Sequence, residues 1–197
     1  MTTTENNKRI ARNTLLLYFR MLFLMIISLY TSRIVLNALG VEDFGIYNVA
    51  GGVVAMFSIL SGSLSAAISR FITYELGKNN ILKLKVIFSS AITIQIGLGI
   101  VIVFFAETIG IWFLNTQMNI PIERMVAANW VLQFSIITFI INLISVPYNA
   151  VIIAHEKMSA FAYISIFEAI GKLLIAYLIT ISPIDKLIFY AILMSRK

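Results

Sequence analysis

The chain alternates long charge-free apolar runs with short polar punctuation, and the runs are too long for buried strands. Phe44–Ser69, Val86–Ala106 and Met125–Ala154 hold no charged residue over 26, 21 and 30 positions. About 20 residues rising 1.5 Å each cross a bilayer core, so each run predicts a membrane-spanning helix. Three further apolar segments carry charge: Asn13–Val35 with Arg20 and Arg33, Met158–Ile181 with Glu168 and Lys172, and a last one from Ile184. The segment Ile184–Ser195 is only 12 residues long before Arg196 and Lys197, too short to span alone. The pattern predicts an all-α, polytopic transmembrane helical bundle of five complete helices and a truncated sixth. The expected helices cover approximately 13–35, 44–77, 84–106, 125–154, 158–181 and 184–197. Residues 1–12 are expected as a cytoplasmic N-terminal segment and 13–197 as a single lobe. The loops, at Gly40–Asp43, Gly77–Lys85, Trp112–Arg124, His155–Lys157 and Ser182–Lys186, leave no room for a soluble domain.

Composition reinforces this reading. Of the 197 residues 60% are hydrophobic and only 12% charged, with mean hydropathy +0.94. A soluble domain has about 25% charged residues, so most of this surface must meet lipid. The absence of cysteine and the single histidine, His155, speak against disulfides, thiolate metal sites and histidine clusters, and no cofactor, metal or catalytic residue is expected. Two fragments of known motifs fail on their partners. Gly40 and Gly45 are followed by Ile46 and Tyr47, not by the Lys and hydroxyl residue of a phosphate loop, and Ser159 stands where a zinc-binding helix after His155 and Glu156 needs its second histidine. A membrane-embedded enzyme is therefore disfavoured.

The net charge of +6 marks topology and not nucleic-acid binding, because the bases sit at the ends of apolar runs. Lys8, Arg9, Arg12, Arg70, Lys78, Lys83, Lys85 and Lys157 fall on one side, against Arg33, Arg124 and Lys186 on the other. The positive-inside rule then places the N-terminus in the cytoplasm, with Trp112 and Trp130 near the outer interface.

Several residues stand out against the apolar background. In the first helix Arg9, Asn13, Arg20 and Thr31 fall within about 20° of one direction, so Arg20 either snorkels to headgroups or attracts anions into a cavity. In the second, Gly51, Ala55, Ser58, Gly62, Ser65 and Ser69 recur every three or four positions, as expected of a close helix-packing seam. Arg70 lies off that face. Pro147, flanked by Asn142 and Asn149, cannot donate to the Leu143 carbonyl and predicts a kink or hinge. Glu168 and Lys172, four apart near mid-membrane, predict an ion pair facing the bundle interior, either structural or functional.

Three stretches carry a resemblance: NALGVEDFGIY (Asn37–Tyr47), SAAISRFITYELGK (Ser65–Lys78) and VPYNAVIIAHEKM (Val146–Met158). Together they resemble the amino-terminal half of bacterial polysaccharide exporters, the O-antigen flippase-like proteins of the multidrug/oligosaccharidyl-lipid/polysaccharide superfamily. The resemblance implies a multi-pass protein of the bacterial inner membrane that moves an undecaprenyl-diphosphate-linked oligosaccharide outward by alternating access. Arg20, Arg70 and Lys172 would then supply a positive path for the diphosphate. It also implies two six-helix lobes, of which this chain supplies one. The chain is thus expected to be a fragment, or a lobe that pairs with a second one or with itself. Two alternatives stay open: a drug or cation antiporter of the same superfamily with Glu168 as coupling carboxylate, and a non-transporting remnant or scaffold.

Overall fold

A computed structural model describes residues 3–182 and 185–195, the side chains of residues 3–6, 9–10 and 59–61 aside. Of the features anticipated above, the Arg9 side chain, Ile184, Arg196 and Lys197 lie outside what is described. The elements are α1 (Thr3–Ala55), α2 (Ser58–Gly77), α3 (Ile81–Phe105), a π-helical turn (Ala106–Gly110), α4 (Ile111–Thr116), α5 (Ile122–Ala154), α6 (Met158–Ile181) and α7 (Lys186–Ser195). No strand occurs among the described residues. In lipid every backbone polar group needs an internal partner, and helices supply one without a neighbour. Side-chain hydroxyls obey the same rule: Thr138 donates to the Phe134 carbonyl at 2.7 Å and Ser145 to that of Ile141 at 2.8 Å.

Among the described residues, four stretches are long and apolar enough to cross a membrane: Ala11–Ala55, Ile81–Thr116, Ile122–Ala154 and Met158–Ile181. The first, at 45 residues, would extend about 67 Å if straight, roughly twice a bilayer core. It is not straight. Gly40 has φ 80° and ψ 170°, a region essentially restricted to glycine, and divides α1 into residues 3–39 and 41–55. The expected loop at 40–43 is therefore a one-residue elbow, with helix resuming at Val41. The first helix, expected from residue 13, is already formed at Thr3.

The expected helix over 44–77 is interrupted at Met56–Phe57, where the Phe57 amide donates to Val54 in a tightened turn. Gly51 and Gly52 just upstream weaken the helix here, and Phe57 packs on Phe139 with ring centroids 6.5 Å apart. The small-residue stripe thus lies on two helices and forms no single seam. A Cβ at Gly51 would stand 4.0 Å from Ser135 Oγ, whereas one at Gly62 would meet nothing within 4 Å. The expected third helix runs on through the π turn to Thr116, and α5 passes through a fully buried Pro147 as one continuous helix.

Three apolar clusters hold these helices together. The largest joins Ile46, Ala50 and Val54 of α1 to Ala128, Val131 and Leu132 of α5 and Leu187 of α7. A second packs Val35 of α1 against Ala176 and Ile179 of α6 and Tyr190 of α7. The third ties Ile68 and Ile72 of α2 to Ala91 of α3 and Ala150 of α5. Away from it, Arg124 at the start of α5 bridges Asp43 beyond the elbow (3.2 Å) and Asp185 before α7 (2.8 Å). This clip joins the elbow, the start of α5 and the approach to α7.

Candidate functional site

The residues 3–39 of α1 and helix α6 run side by side in the same direction. The Arg20 guanidinium lies 4.3 Å from the centre of the Phe161 ring, and Val35 packs with Ala176. On α6 the buried positions are Ala162, Ser165, Ala169, Ala176 and Ile179, and four of these five are small, so the backbones can approach. Where the two helices do not fill the space between them, a cavity of about 530 Å³ remains.

This cavity brings together three of the residues singled out from sequence: Arg20, Glu168 and Lys172. Lys172 Nζ lies 3.2 Å from Glu168 Oε1, one turn apart on α6, with both side chains partly exposed. Glu168 is seven residues beyond Phe161, which places the ion pair about 10 Å further along than Arg20. The pair neutralises itself, so Arg20 leaves the cavity wall with one excess positive charge. Its Nε is buried without a hydrogen-bond partner, as is Thr31 Oγ1. Ser28, Ser32 and Ser165 add further hydroxyls.

Tyr47 and Tyr190 close the far end of the cavity, their ring centroids 4.7 Å apart. Beyond them lies a smaller cavity of about 280 Å³ between residues 41–55 of α1, α5 and α7. Tyr47 and Met194 line both spaces, so they stand as a partition. Gly51, Ala55, Ser58 and Asn142 border this second cavity, so three residues expected to pack a seam instead face open space. Arg70 is exposed on α2 and reaches neither cavity, and Gly62, Ser65, Ser69 and Asn149 border neither.

Two polar positions escaped the sequence reading. Gln95 in α3 is fully buried with neither amide atom hydrogen-bonded. Glu107, in the π turn, accepts a 2.9 Å hydrogen bond from Gln133 Nε2 of α5. Glu107 was overlooked because it falls one residue past the end of a charge-free run and so lay outside the expected helix over 84–106. The signal was available: helical hydropathy continues through Thr116.

No curated protein and no solved structure matches the chain. The model of one family, MatE, matches residues 17–178, a span that takes in Arg20, the elbow, both cavities' α5 and α6 walls, and the Glu168–Lys172 pair. The apolar helices and this match identify a multi-pass membrane protein, and the chain belongs to the MatE family of membrane transporters in the multidrug/oligosaccharidyl-lipid/polysaccharide superfamily.

Proposed function

We propose that this chain forms a lobe of a transporter in the bacterial inner membrane whose cargo is an oligosaccharide carried on undecaprenyl diphosphate, for surface polysaccharide synthesis. The observation that carries the reading is the α1–α6 cavity, where Arg20 and Lys172 face a single carboxylate, Glu168. A diphosphate is a dianion or more, and in a low-dielectric setting it needs charge-assisted donors. Arg20 offers a guanidinium that is not held by a carboxylate, and Lys172 can exchange its Glu168 partner for a phosphate oxygen. The hydroxyls of Ser28, Thr31 and Ser32 suit further phosphate or sugar oxygens. The glycan would extend from this wall toward a second lobe or a second copy of the chain.

Native mass spectrometry of the detergent-solubilised chain with undecaprenyl diphosphate tests this. Binding is expected, with a loss of at least about tenfold in Arg20→Ala and Lys172→Ala, as one charged contact is worth 1.5–3 kcal/mol. Equal binding by wild type and the double variant would defeat the assignment. A second reading rests on Glu168 lying in the same cavity as the Tyr47–Tyr190 rings, a setting that also suits an organic cation. Under it, a cationic dye binds and Glu168→Gln abolishes that binding, while the diphosphate lipid does not bind.

A further inference from the structure

Pro147 leaves a backbone group of α5 without its helical partner. Proline has no amide hydrogen, so the Leu143 carbonyl one turn earlier loses its ordinary donor. Leu143 and Pro147 are both fully buried, so bulk water does not reach this carbonyl. In an apolar span such a group needs a neighbouring side chain or an ordered water. The polar side chains nearest on α5 are directed elsewhere. The Ser145 hydroxyl donates to the Ile141 carbonyl at 2.8 Å, and Asn142 borders the smaller cavity. Asn149 falls on the opposite side of the helix from Pro147, at 100° per residue.

Helix α3 crosses this region antiparallel to α5. Its Phe88 ring meets Tyr148 edge-on with centroids 5.3 Å apart, and Ala91 shares a cluster with Ala150. A Cβ at Gly99 would stand 3.6 Å from Leu143 Cδ2. Ala91, Gln95 and Gly99 are buried at a spacing of four and form one stripe on α3. Gln95 therefore falls between the levels of Ala150 and Leu143, beside Pro147, on the side toward which the Leu143 carbonyl points. Its side chain is fully buried, and neither Nε2 nor Oε1 has a hydrogen-bond partner.

Burying an amide with both ends unmet is unfavourable, and so is burying a carbonyl without its donor. One small molecule that both donates and accepts resolves the two together. The groups flanking the longer Gln95 side chain, Ala91, Gly99 and Ala150, are small, and the site is polar, as a buried water requires. We propose that Gln95 and the Leu143 carbonyl hold a buried water molecule between α3 and α5. Nε2 donates to its oxygen, the water donates onward to the carbonyl, and Oε1 remains to accept from a second. The water thus takes the place of the amide hydrogen that Pro147 lacks. Because the carbonyl's partner is a small molecule and not a fixed backbone group, α5 can flex at Pro147 without losing a hydrogen bond. The joint separates the part of α5 packed in the largest cluster, with Val131 and Leu132, from the part holding Ala150 in the third. The site is independent of whichever cargo the α1–α6 cavity takes.

A double-mutant cycle on the full chain in detergent, read by thermal unfolding, tests the pairing. Gln95→Leu, close to Gln in size, should lower the melting temperature by about 2–4 °C, the scale of one hydrogen bond in a chain of this length. In the Pro147→Ala background, where residue 147 again supplies an amide hydrogen, the same change should be neutral or stabilising, since it then only removes a buried amide. A rise on Gln95→Leu in the wild-type background, or an equal fall in both backgrounds, overturns the pairing. X-ray hydroxyl-radical footprinting, which oxidises side chains next to bound water inside a membrane protein, supplies a second readout. Oxidation of Leu143 is expected in the wild type and its loss in Gln95→Leu. An unmodified Leu143 in the wild type overturns the water, and oxidation that persists in Gln95→Leu overturns the role of Gln95 in holding it.

Discussion

The two arms of α1 share one helix and one apolar composition yet live in different surroundings. Residues 3–39 lie along α6 with Leu15, Phe19, Leu22, Met25 and Leu29 more than half exposed, and the cavity opens beside them. Residues 41–55 contribute Ile46, Ala50 and Val54, all nearly inaccessible, to the main core with α5 and α7. Hydropathy does not distinguish the arms, because lipid and protein interior reward the same side chains. What differs is the number of packed neighbours: the second arm is set in the core, and the first is a wall held mainly by one helix.

The sharpest break of this comparison comes from paired truncations read by thermal unfolding in detergent. Leu132→Ala, which empties a fully buried site beside the second arm, should cost about 2–5 kcal/mol. Leu22→Ala on the first arm, at 58% exposure, should stay within about 0.5 kcal/mol. Equal losses would mean that the first arm is as tightly packed as the second.

Next in size is the elbow itself. Gly40→Ala places a side chain in backbone space that costs about 1–3 kcal/mol, and relief of that strain should swing the first arm relative to α6. The chain has no cysteine, so spin labels at Leu22→Cys and Tyr163→Cys report the arm directly. A broadened or shifted distance distribution is expected, and an unchanged one would show that α6, not Gly40, sets the arm.

The clip should matter somewhat less. Arg124→Ala leaves Asp43, at 7% exposure, without its cation while Asp185 remains half-open. The cost should fall toward the lower end of about 1–3 kcal/mol, since Arg124 is itself partly exposed. Protease accessibility of the α6–α7 connection should rise with it, and unchanged cleavage would mean that packing alone holds that end. The smallest effect belongs to Phe161→Leu, which removes the ring beneath Arg20 and should cost about 0.5–1 kcal/mol. Its sharper readout is the spin-label distance across α1 and α6, expected to broaden without a large change in melting temperature.

Parts of this were legible from the amino acids. The helices over α5 and α6 were readable to within a few residues, because charge-free runs ending in polar clusters mark where a helix leaves lipid. Glycine at position 40 signalled a turn but not that the turn would be a single residue. The Met56–Phe57 interruption was hidden, since a stripe of small residues has the same spacing whether its helix is whole or broken. Glu168 and Lys172 announced each other by their spacing of four. Arg20 did not announce either of them, as 141 positions separate it from Phe161. Glu107 was obscured by the π turn, which shifts helical register in a way that a fixed period of 3.6 cannot follow.

By itself, then, the sequence determined the solvent and the secondary structure. A chain this apolar must lie in lipid, and a backbone in lipid must close its hydrogen bonds within helices. Which face of each helix meets protein and which meets lipid was a tertiary decision, because both environments accept the same residues. The pairing of α1 with α6 brought one arginine to an ion pair, and the packing of a widened turn on α5 left one glutamate with an amide as its partner. Such encounters depend on the crossing and direction of helices distant in sequence, and no local periodicity encodes them.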